Sequence, residues 1–345
     1  MTMTSVMAKP VKKVFITGGA GFIGSQMAET YLAEGCEVVC FDNLILGRRE
    51  FLKQSLKNPR FKFVEADLLD LDRVTDELRA FELGADDLVV HLAANSDISQ
   101  GAEKSDVDLK NGTIATFNLL EAMRRCGAKN ILFASTSAIY GEAKTKPTPE
   151  DYGPLFPISF YGASKLACEA LVSAFVHNCQ MRAVVFRFAN IVGPRSTHGA
   201  IHDFVGRLMK SSVSLKVLGN GTQKKSYLHV TDCIAGMKFA WQHCAGLHEG
   251  EFFECFNLAS QGVSNVRFLA TAVVEEFAKQ QKLSMIPQLE FGEGDRGWVG
   301  DVPFTWLDGK RLESLGWKAL LESDAAVREA IKQIIEQKTT PQVTS

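Results

Sequence analysis

Short apolar runs recur through the first half of the chain and alternate with segments of helical periodicity. Residues 13–19 (KVFITGG) read as an apolar strand closed by glycines, and 24–35 (GSQMAETYLAEG) as a helix that stops at Gly35. Residues 37–43 (EVVCFDN), 61–68 (FKFVEADL) and 87–94 (DLVVHLAA) read as the second, third and fourth strands. A long helix is predicted over 107–126, then a strand at 130–135 (NILFAS), a helix from Tyr161, and a sixth strand at 182–190 (RAVVFRFAN). Strands apolar along their whole length are buried on both faces, and their alternation with helices predicts a parallel, doubly wound α/β sheet. After Pro194 the pattern loosens into glycines and short elements. Residues 246–260 are expected to return to the sheet as a late strand, and helical periodicity resumes over 323–337 before a polar tail.

The length of 345 residues corresponds to two domains at a prior of about 150 residues each. Lys and Arg nearly balance Asp and Glu, for a net charge of −2, so neither nucleic acid nor an anionic membrane is an expected partner. None of the eight cysteines forms a C-x-x-C pair and most lie in apolar segments. Reduced, buried thiols are expected, with no disulfide framework and no metal site. The first ten residues read as a loose tail without the apolar core of a signal peptide, and no stretch approaches the roughly 20 apolar residues of a membrane span. A cytoplasmic location is the expectation.

Residues 17–24 (TGGAGFIG) close the first strand and open the first helix. They satisfy G-x-x-G-x-x-G through Gly18, Gly21 and Gly24, and G-x-G-x-x-G through Gly19, Gly21 and Gly24. Glycine permits the tight turn and lets backbone approach a pyrophosphate, whose charge meets the amides and dipole of the helix N-terminus. The same glycines also fit an ordinary strand-to-helix turn. Asp42, however, ends the next strand about 20 residues on, where a carboxylate binds the adenosine ribose hydroxyls. That carboxylate repels a 2′-phosphate, so NAD is expected rather than NADP; Arg48 and Arg49 in the next loop point the other way unless they are a solvated pair. Asp67 ends the third strand, placed either for the adenine amino group or for a turn. Ala93 and Ala94 end the fourth, where small side chains let a cofactor lie close. The chain is thus expected to form a Rossmann-type NAD-binding domain over 1–190, with a return around 226–260. A smaller mixed α/β substrate domain follows over 191–345, and the substrate site lies outside the carboxyl ends of the strands.

Residues 134–141 read ASTSAIYG, with three consecutive hydroxyls, Ser135, Thr136 and Ser137, at the end of a strand that buries itself. A polar turn and a substrate-facing hydroxyl both account for the run. YGASK (161–165) puts Tyr161 and Lys165 four residues apart, on one face if the segment is helical. For a tyrosine to act as a base near neutrality its pKa must fall from about 10 by about 2–3, roughly 3–4 kcal/mol. A nearby ammonium and a positive nicotinamide ring supply that by stabilising the phenolate.

The glycine turn, the Asp after the second strand, HLAA (91–94), the hydroxyl run before Tyr140-Gly141, and Y-x-x-x-K come in this order and at this spacing. Together they resemble the extended short-chain dehydrogenase/reductase family, particularly its NAD-dependent sugar-nucleotide epimerases and dehydratases and, among these, the UDP-glucose 4-epimerase-like members. The likeness runs from about residue 12 to 318 and continues with RFAN (187–190), KKSYLHVTDC (224–233) and RGWVGDVP (296–303).

The resemblance implies a role for each matching position. Tyr161 would be base and acid at the sugar hydroxyl, Lys165 would lower its pKa and hold the nicotinamide ribose, and Thr136 matches the catalytic Ser/Thr. Ser135 is left as a turn or cofactor contact. Cofactor contacts are implied for Gly18, Gly21, Phe22, Ile23, Gly24, Asp42, Asn43, Asp67, Leu68 and Ala93, besides Tyr161 and Lys165. Substrate contacts are implied for Ser137, for Asn190 and Arg296 at the diphosphate, and for Lys225 near the nucleotide, where relatives usually carry arginine. Lysine replaces a bidentate fork by a point charge; Asn190 and Lys225 also read as a turn residue and a solvated lysine.

Members of this family first move hydride from the sugar C4 to NAD while the tyrosine takes the hydroxyl proton. The 4,6-dehydratases then use Asp-Glu directly after the catalytic Thr, and the glucuronate decarboxylases usually keep a glutamate there. Here those positions are Ser137 and Ala138, neither able to act as acid or base near neutrality. The resemblance therefore implies a nucleotide-sugar 4-epimerase, acting on UDP-hexoses. Decarboxylation, 2-epimerisation and 4-reduction are the other enzymatic readings, and a non-catalytic NAD sensor is the reading from another class. The helices at 107–126 and 161–177 carry more apolar residues than one buried face requires, and the matching pair in relatives forms a dimer interface, so a homodimer is expected.

Overall fold

The computed structural model describes residues 9–248, 250–296 and 301–339. The expected N-terminal tail (1–8), the middle of the RGWVGDVP segment (297–300) and the polar C-terminus (340–345) lie outside the described residues. Seven strands form one parallel sheet: β1 (Lys13–Thr17), β2 (Glu37–Asp42), β3 (Phe61–Glu65), β4 (Leu88–His91), β5 (Asn130–Thr136), β6 (Arg182–Phe188) and β11 (Phe252–Leu258). Their order across the sheet is β3–β2–β1–β4–β5–β6–β11. It runs one way from β1 and then the other, the doubly wound arrangement with its switch point between β1 and β4. The predicted late strand is β11, confined to Phe252–Leu258.

Alternate residues of each strand feed opposite cores, as the two-residue period requires. Val14, Ile16, Val38, Cys40, Val90, Leu132 and Phe186 meet α1 (Phe22–Ala33) and α7 (Val230–Leu247) on one face. Phe15, Val39, Phe41, Val89, Ile131, Phe133 and Val185 meet α2 (Leu71–Phe81), α4 (Ala115–Cys126) and α5 (Phe160–Cys179) on the other. A third core joins α6 (Ala200–Lys210), α8 (Val266–Gln280) and α10 (Ser323–Thr339) through Phe204, Leu269, Val273, Phe277, Val327 and Ile331. Small pairings link it to the sheet's carboxyl end: β7 (Asn190–Val192) with β10 (Tyr227–His229), and β9 (Lys224–Lys225) between β12 (Ser264–Asn265) and β14 (Phe304–Thr305). β8 (Ser214–Val217) pairs with β13 (Gln288–Phe291), and a short α9 (Lys310–Ser314) precedes α10.

The single helix predicted over 107–126 is not uniform. A short α3 (Ile98–Glu103) precedes a π-helical turn over Leu109–Ile114, and only then does α4 begin. The turn widens where it backs onto α5: a Cβ on Gly112 would lie 2.1 Å from Ser164 Oγ, and that hydroxyl donates to the Asp108 carbonyl at 2.7 Å. A side chain intruding on the backbone ladder at a close helix contact is a setting in which π turns form. No cysteine is paired, and all eight are buried or half-buried. No helix among the described residues is long and apolar enough to cross a membrane.

Candidate active site

The turn between β1 and α1 is packed backbone to backbone. Gly18 has φ +69°, and a Cβ there would lie 2.7 Å from the Ala93 nitrogen; on Gly24 it would lie 2.2 Å from the Gly18 carbonyl oxygen. Gly21 caps α1 without a side-chain hydrogen bond, and the first turn holds no acid. That end therefore presents amides with no intrahelical partner, suited to an anion, with Phe22 and Ile23 half-buried beside it. Asp42 is nearly buried, and its carboxylate accepts the Ala20 amide at 2.9 Å and the Leu44 amide at 2.8 Å. Burial raises its pKa, against the two amides that lower it. Each carboxylate oxygen can accept more than one hydrogen bond, so ribose hydroxyls can still donate. The turn, the uncapped helix and Asp42 fit a dinucleotide.

Asp67 is held in a turn: one oxygen accepts the Leu69 amide at 2.8 Å and the other the Asn43 side chain at 3.0 Å. Leu68 is buried in the core. Arg49 lies over the Phe63 ring and pairs with Glu65 at 3.4 Å, with both partners mostly exposed, and Arg48 gives its amide to the Ala20 carbonyl.

Thr136 ends β5, while Tyr161 and Lys165 lie in the first turns of α5, whose cap Ser159 accepts the Gly162 amide at 3.1 Å. The three come together. The Tyr161 phenol lies where the Thr136 hydroxyl favours its ionised form, and the Thr136 oxygen accepts the Ala138 amide at 3.1 Å. Burial pushes the Tyr161 pKa up, with the Thr136 hydroxyl opposing it. Lys165 follows one helical turn later on α5. Its ammonium is buried, donates to the Ala134 carbonyl at 2.7 Å and sits 4.8 Å over the Phe133 ring, and burial pushes its own pKa down. The expectation for Ser135 is corrected: it is buried and donates to Glu169 at 2.5 Å, a contact within the protein. Ser137 and Ala138 open a 3₁₀ turn, Ser137–Tyr140, at the end of the strand.

On the substrate side, Asn190 opens β7, and its amide and side chain both donate to the Ser226 carbonyl, at 3.1 and 3.4 Å. Lys225 is not a solvated lysine. Its Nζ lies 2.6 Å from buried Asp301, whose backbone carbonyl accepts Arg296 at 2.9 Å. Arg296 also meets Glu142 at 2.5 Å, two residues beyond Tyr140. Lys225 and Arg296 are thus gathered at one aspartate that the sequence reading did not single out.

Sequence reading also missed His91, buried between the Thr17 hydroxyl (2.6 Å) and the Thr116 hydroxyl (2.9 Å). Burial and Lys165 hold its pKa down at about 3, so it stays neutral. Asp108 is buried, with one oxygen accepting Asn95 at 3.1 Å and the other unpartnered, and burial raises its pKa. His91 opens the HLAA motif at the end of an apolar strand, and Asp108 sits among other polar residues (KSDVDLKNGT, 104–113), so composition alone gives neither its buried role.

Residues 14–259 match the family model described as NAD dependent epimerase/dehydratase family. The chain belongs to that family. Its cofactor is accordingly NAD. Among its relatives in the family, a putative UDP-glucose 4-epimerase of Methanocaldococcus jannaschii is 28% identical over 93% of this chain and 97% of the relative. UDP-glucuronic acid decarboxylase 4 of Arabidopsis thaliana is also 28% identical, over 96% of this chain and 69% of its own. A solved UDP-galactose 4-epimerase superposes with a TM-score of 0.78 at 33% identity, covering 93% of this chain and 98% of that structure. Epimerases and decarboxylases of nucleotide sugars are therefore both among its relatives.

Proposed function

We propose that this member of the family is a nucleotide-sugar 4-epimerase acting on UDP-hexoses through a transient 4-keto sugar. The observation that carries the reading is the pair after Thr136: Ser137 and Ala138 occupy the turn where an acid would drive elimination, and neither has a carboxyl group. NAD supplies the hydride acceptor and donor. Tyr161 Oη takes the proton of the sugar 4-hydroxyl and later returns one to the 4-keto oxygen, and the Thr136 hydroxyl steadies the phenolate. Burial opposes that phenolate, so it forms against nearby positive charge: the Lys165 ammonium and the oxidised nicotinamide. Arg296, Lys225 and Asn190 hold the diphosphate end. With no acid to remove water, the keto sugar turns in the site and is reduced on its other face. Epimerase relatives and the similar solved UDP-galactose 4-epimerase support the reading.

The enzyme is further proposed to be a homodimer. Leu109, Ile114, Phe117 and Phe160, on the π turn, α4 and α5, expose 41 to 54% of their surface, and a second copy of the same helices would cover them.

The test is to incubate the purified protein with UDP-glucose, UDP-galactose, their N-acetyl forms and the glucuronate/galacturonate pair, and follow anomeric NMR signals. Interconversion within one pair is expected, with no carbon dioxide released. Tyr161→Phe is expected to lose at least about 100-fold in kcat, in line with general acid–base contributions. Carbon dioxide release, a stable 4-keto-6-deoxy product, or full activity in Tyr161→Phe rejects the proposal.

A further inference from the structure

Glu169 lies one helical turn beyond Lys165 on α5 and is buried. Its Oε1 accepts the Ser135 hydroxyl at 2.5 Å, and its two oxygens accept Arg187 Nε at 3.1 and 3.3 Å and Nη2 at 2.8 Å. Ser135 is the neighbour of Thr136 on β5, and Arg187 stands beside it in register on β6. Arg187 Nη1 continues to the Tyr140 hydroxyl at 2.9 Å, and that hydroxyl donates to Asn257 on β11 at 2.8 Å. One carboxylate therefore ties the helix bearing Tyr161 and Lys165 to the strand bearing Thr136. Its arginine ties the turn that follows Thr136 to two further strands.

The remaining contacts of this face of α5 with the sheet include Cys168, Val172 and Val176. Apolar contact is non-directional and leaves small shifts along the helix axis weakly opposed. Charge-assisted hydrogen bonds fix distance and angle, and a fully satisfied buried network specifies one arrangement. Stability alone does not account for the pair, because well-packed apolar residues of similar volume serve as well as a buried ion pair or better.

We propose that Glu169 is a positioning residue for proton transfer: by gripping Ser135 and Arg187 it sets the separation between Tyr161 Oη and the Thr136 hydroxyl. This rests on the reading of Tyr161 and Thr136 as the proton-transfer pair. Misplacing such a pair by about 1 Å costs up to about 100-fold in rate.

The test uses the full-length, NAD-loaded protein and the variants Glu169→Gln, Ser135→Ala, Thr136→Ala and Glu169→Gln/Thr136→Ala. Glu169→Gln is expected to keep its NAD and to lose at least about tenfold in kcat on a UDP-hexose pair, with KM changed by less than about twofold. Ser135→Ala moves kcat the same way by a smaller factor. In the Thr136→Ala background, Glu169→Gln costs less than about threefold more, because the geometry it protects is already gone. A readout without substrate runs beside these. NMR of ring-labelled tyrosine, with one resonance of the five assigned by its loss in Tyr161→Phe, is expected to shift in Glu169→Gln and in Thr136→Ala, and no further in the double variant. Unchanged kcat and an unmoved resonance in Glu169→Gln and Ser135→Ala overturn the proposal, as do fully multiplicative losses with Thr136→Ala. If Glu169→Gln does not fold, the cycle of Ser135→Ala with Thr136→Ala decides by the same criteria. Full activity in Tyr161→Phe would instead refute the proton-transfer reading, whatever Glu169→Gln does.

Discussion

Gly24 sets two local effects against each other. It lies in the first turn of α1 in an ordinary helical conformation, so helix propensity by itself makes Gly24→Ala stabilising by about 0.8–1.0 kcal/mol. The added Cβ, however, would lie 2.2 Å from the Gly18 oxygen, 2.9 Å from Gly19 Cα and 3.0 Å from the Gly18 carbonyl carbon, where ordinary contact begins at 3.4 Å. The turn would have to retreat by about 1.2 Å. It has little room: the Gly18 amide is bonded to Phe41 at 2.9 Å, and Gly18 already abuts the Ala93 backbone. Overpacking of this kind costs about 1–3 kcal/mol, so the variant is expected to be less stable by roughly 0–2 kcal/mol. The larger effect falls on NAD. Loss of one charge-assisted hydrogen bond at the displaced helix end, at about 1.5–3 kcal/mol, weakens binding by about 10- to 100-fold. NAD content after purification and thermal unfolding with and without added NAD measure both effects. Gly127→Ala is the control. Its φ of +73° adds left-handed strain, but nothing lies within 4 Å of a Cβ there, so it should lose about 1–2 kcal/mol of stability and no NAD. A Gly24→Ala protein that melts higher and keeps its full complement of NAD would refute the reasoning.

His91 makes the protein acid-sensitive. The unfolded chain takes up a proton at this residue near pH 6.5, whereas folded His91 does so only at about 3. Its contribution is therefore complete above about pH 6.5 and falls by about 1.4 kcal/mol per pH unit as the pH drops towards 3. His91→Asn should flatten that slope in urea unfolding between about pH 4.5 and 6; equal slopes would contradict it. Arg296→Gln is expected to raise KM for the UDP-sugar about tenfold or more with kcat little changed, since a remote diphosphate contact contributes equally to the ground and transition states. An unchanged KM in steady-state kinetics would remove Arg296 from the site. Phe117→Arg places a charge in the exposed apolar stripe and should convert the proposed dimer to monomer in sedimentation velocity; a dimer that persists would place the interface elsewhere.

Several features were legible because they depend on neighbours in the chain. Apolar strands alternating with helices predicted the parallel sheet, down to its late edge strand, and the glycine turn with Asp42 predicted the dinucleotide end. Detail that a distant contact decides was not legible. The helix predicted over 107–126 forms over those residues, but a π turn widens it where Ser164, on another helix, approaches at Gly112. In the run Ser135-Thr136-Ser137, one residue turns in and the next turns out, but the sequence carries no sign of Glu169 as the partner that pulls Ser135 inward.

The sequence by itself determined the family, the sheet, the NAD end and the residue types after Thr136 that argue against elimination. These rest on the period of apolar residues and on turn chemistry, which act over a few residues. Tertiary structure alone decided what each charged and polar group faces. Lys165 reaches a carbonyl beneath the site, Lys225 meets Asp301 across 76 residues, Arg296 meets Glu142 across 154, and Glu169 joins Arg187 and Ser135. A group taken out of water must find a partner wherever the fold supplies one, and its distance along the chain does not say which one that will be.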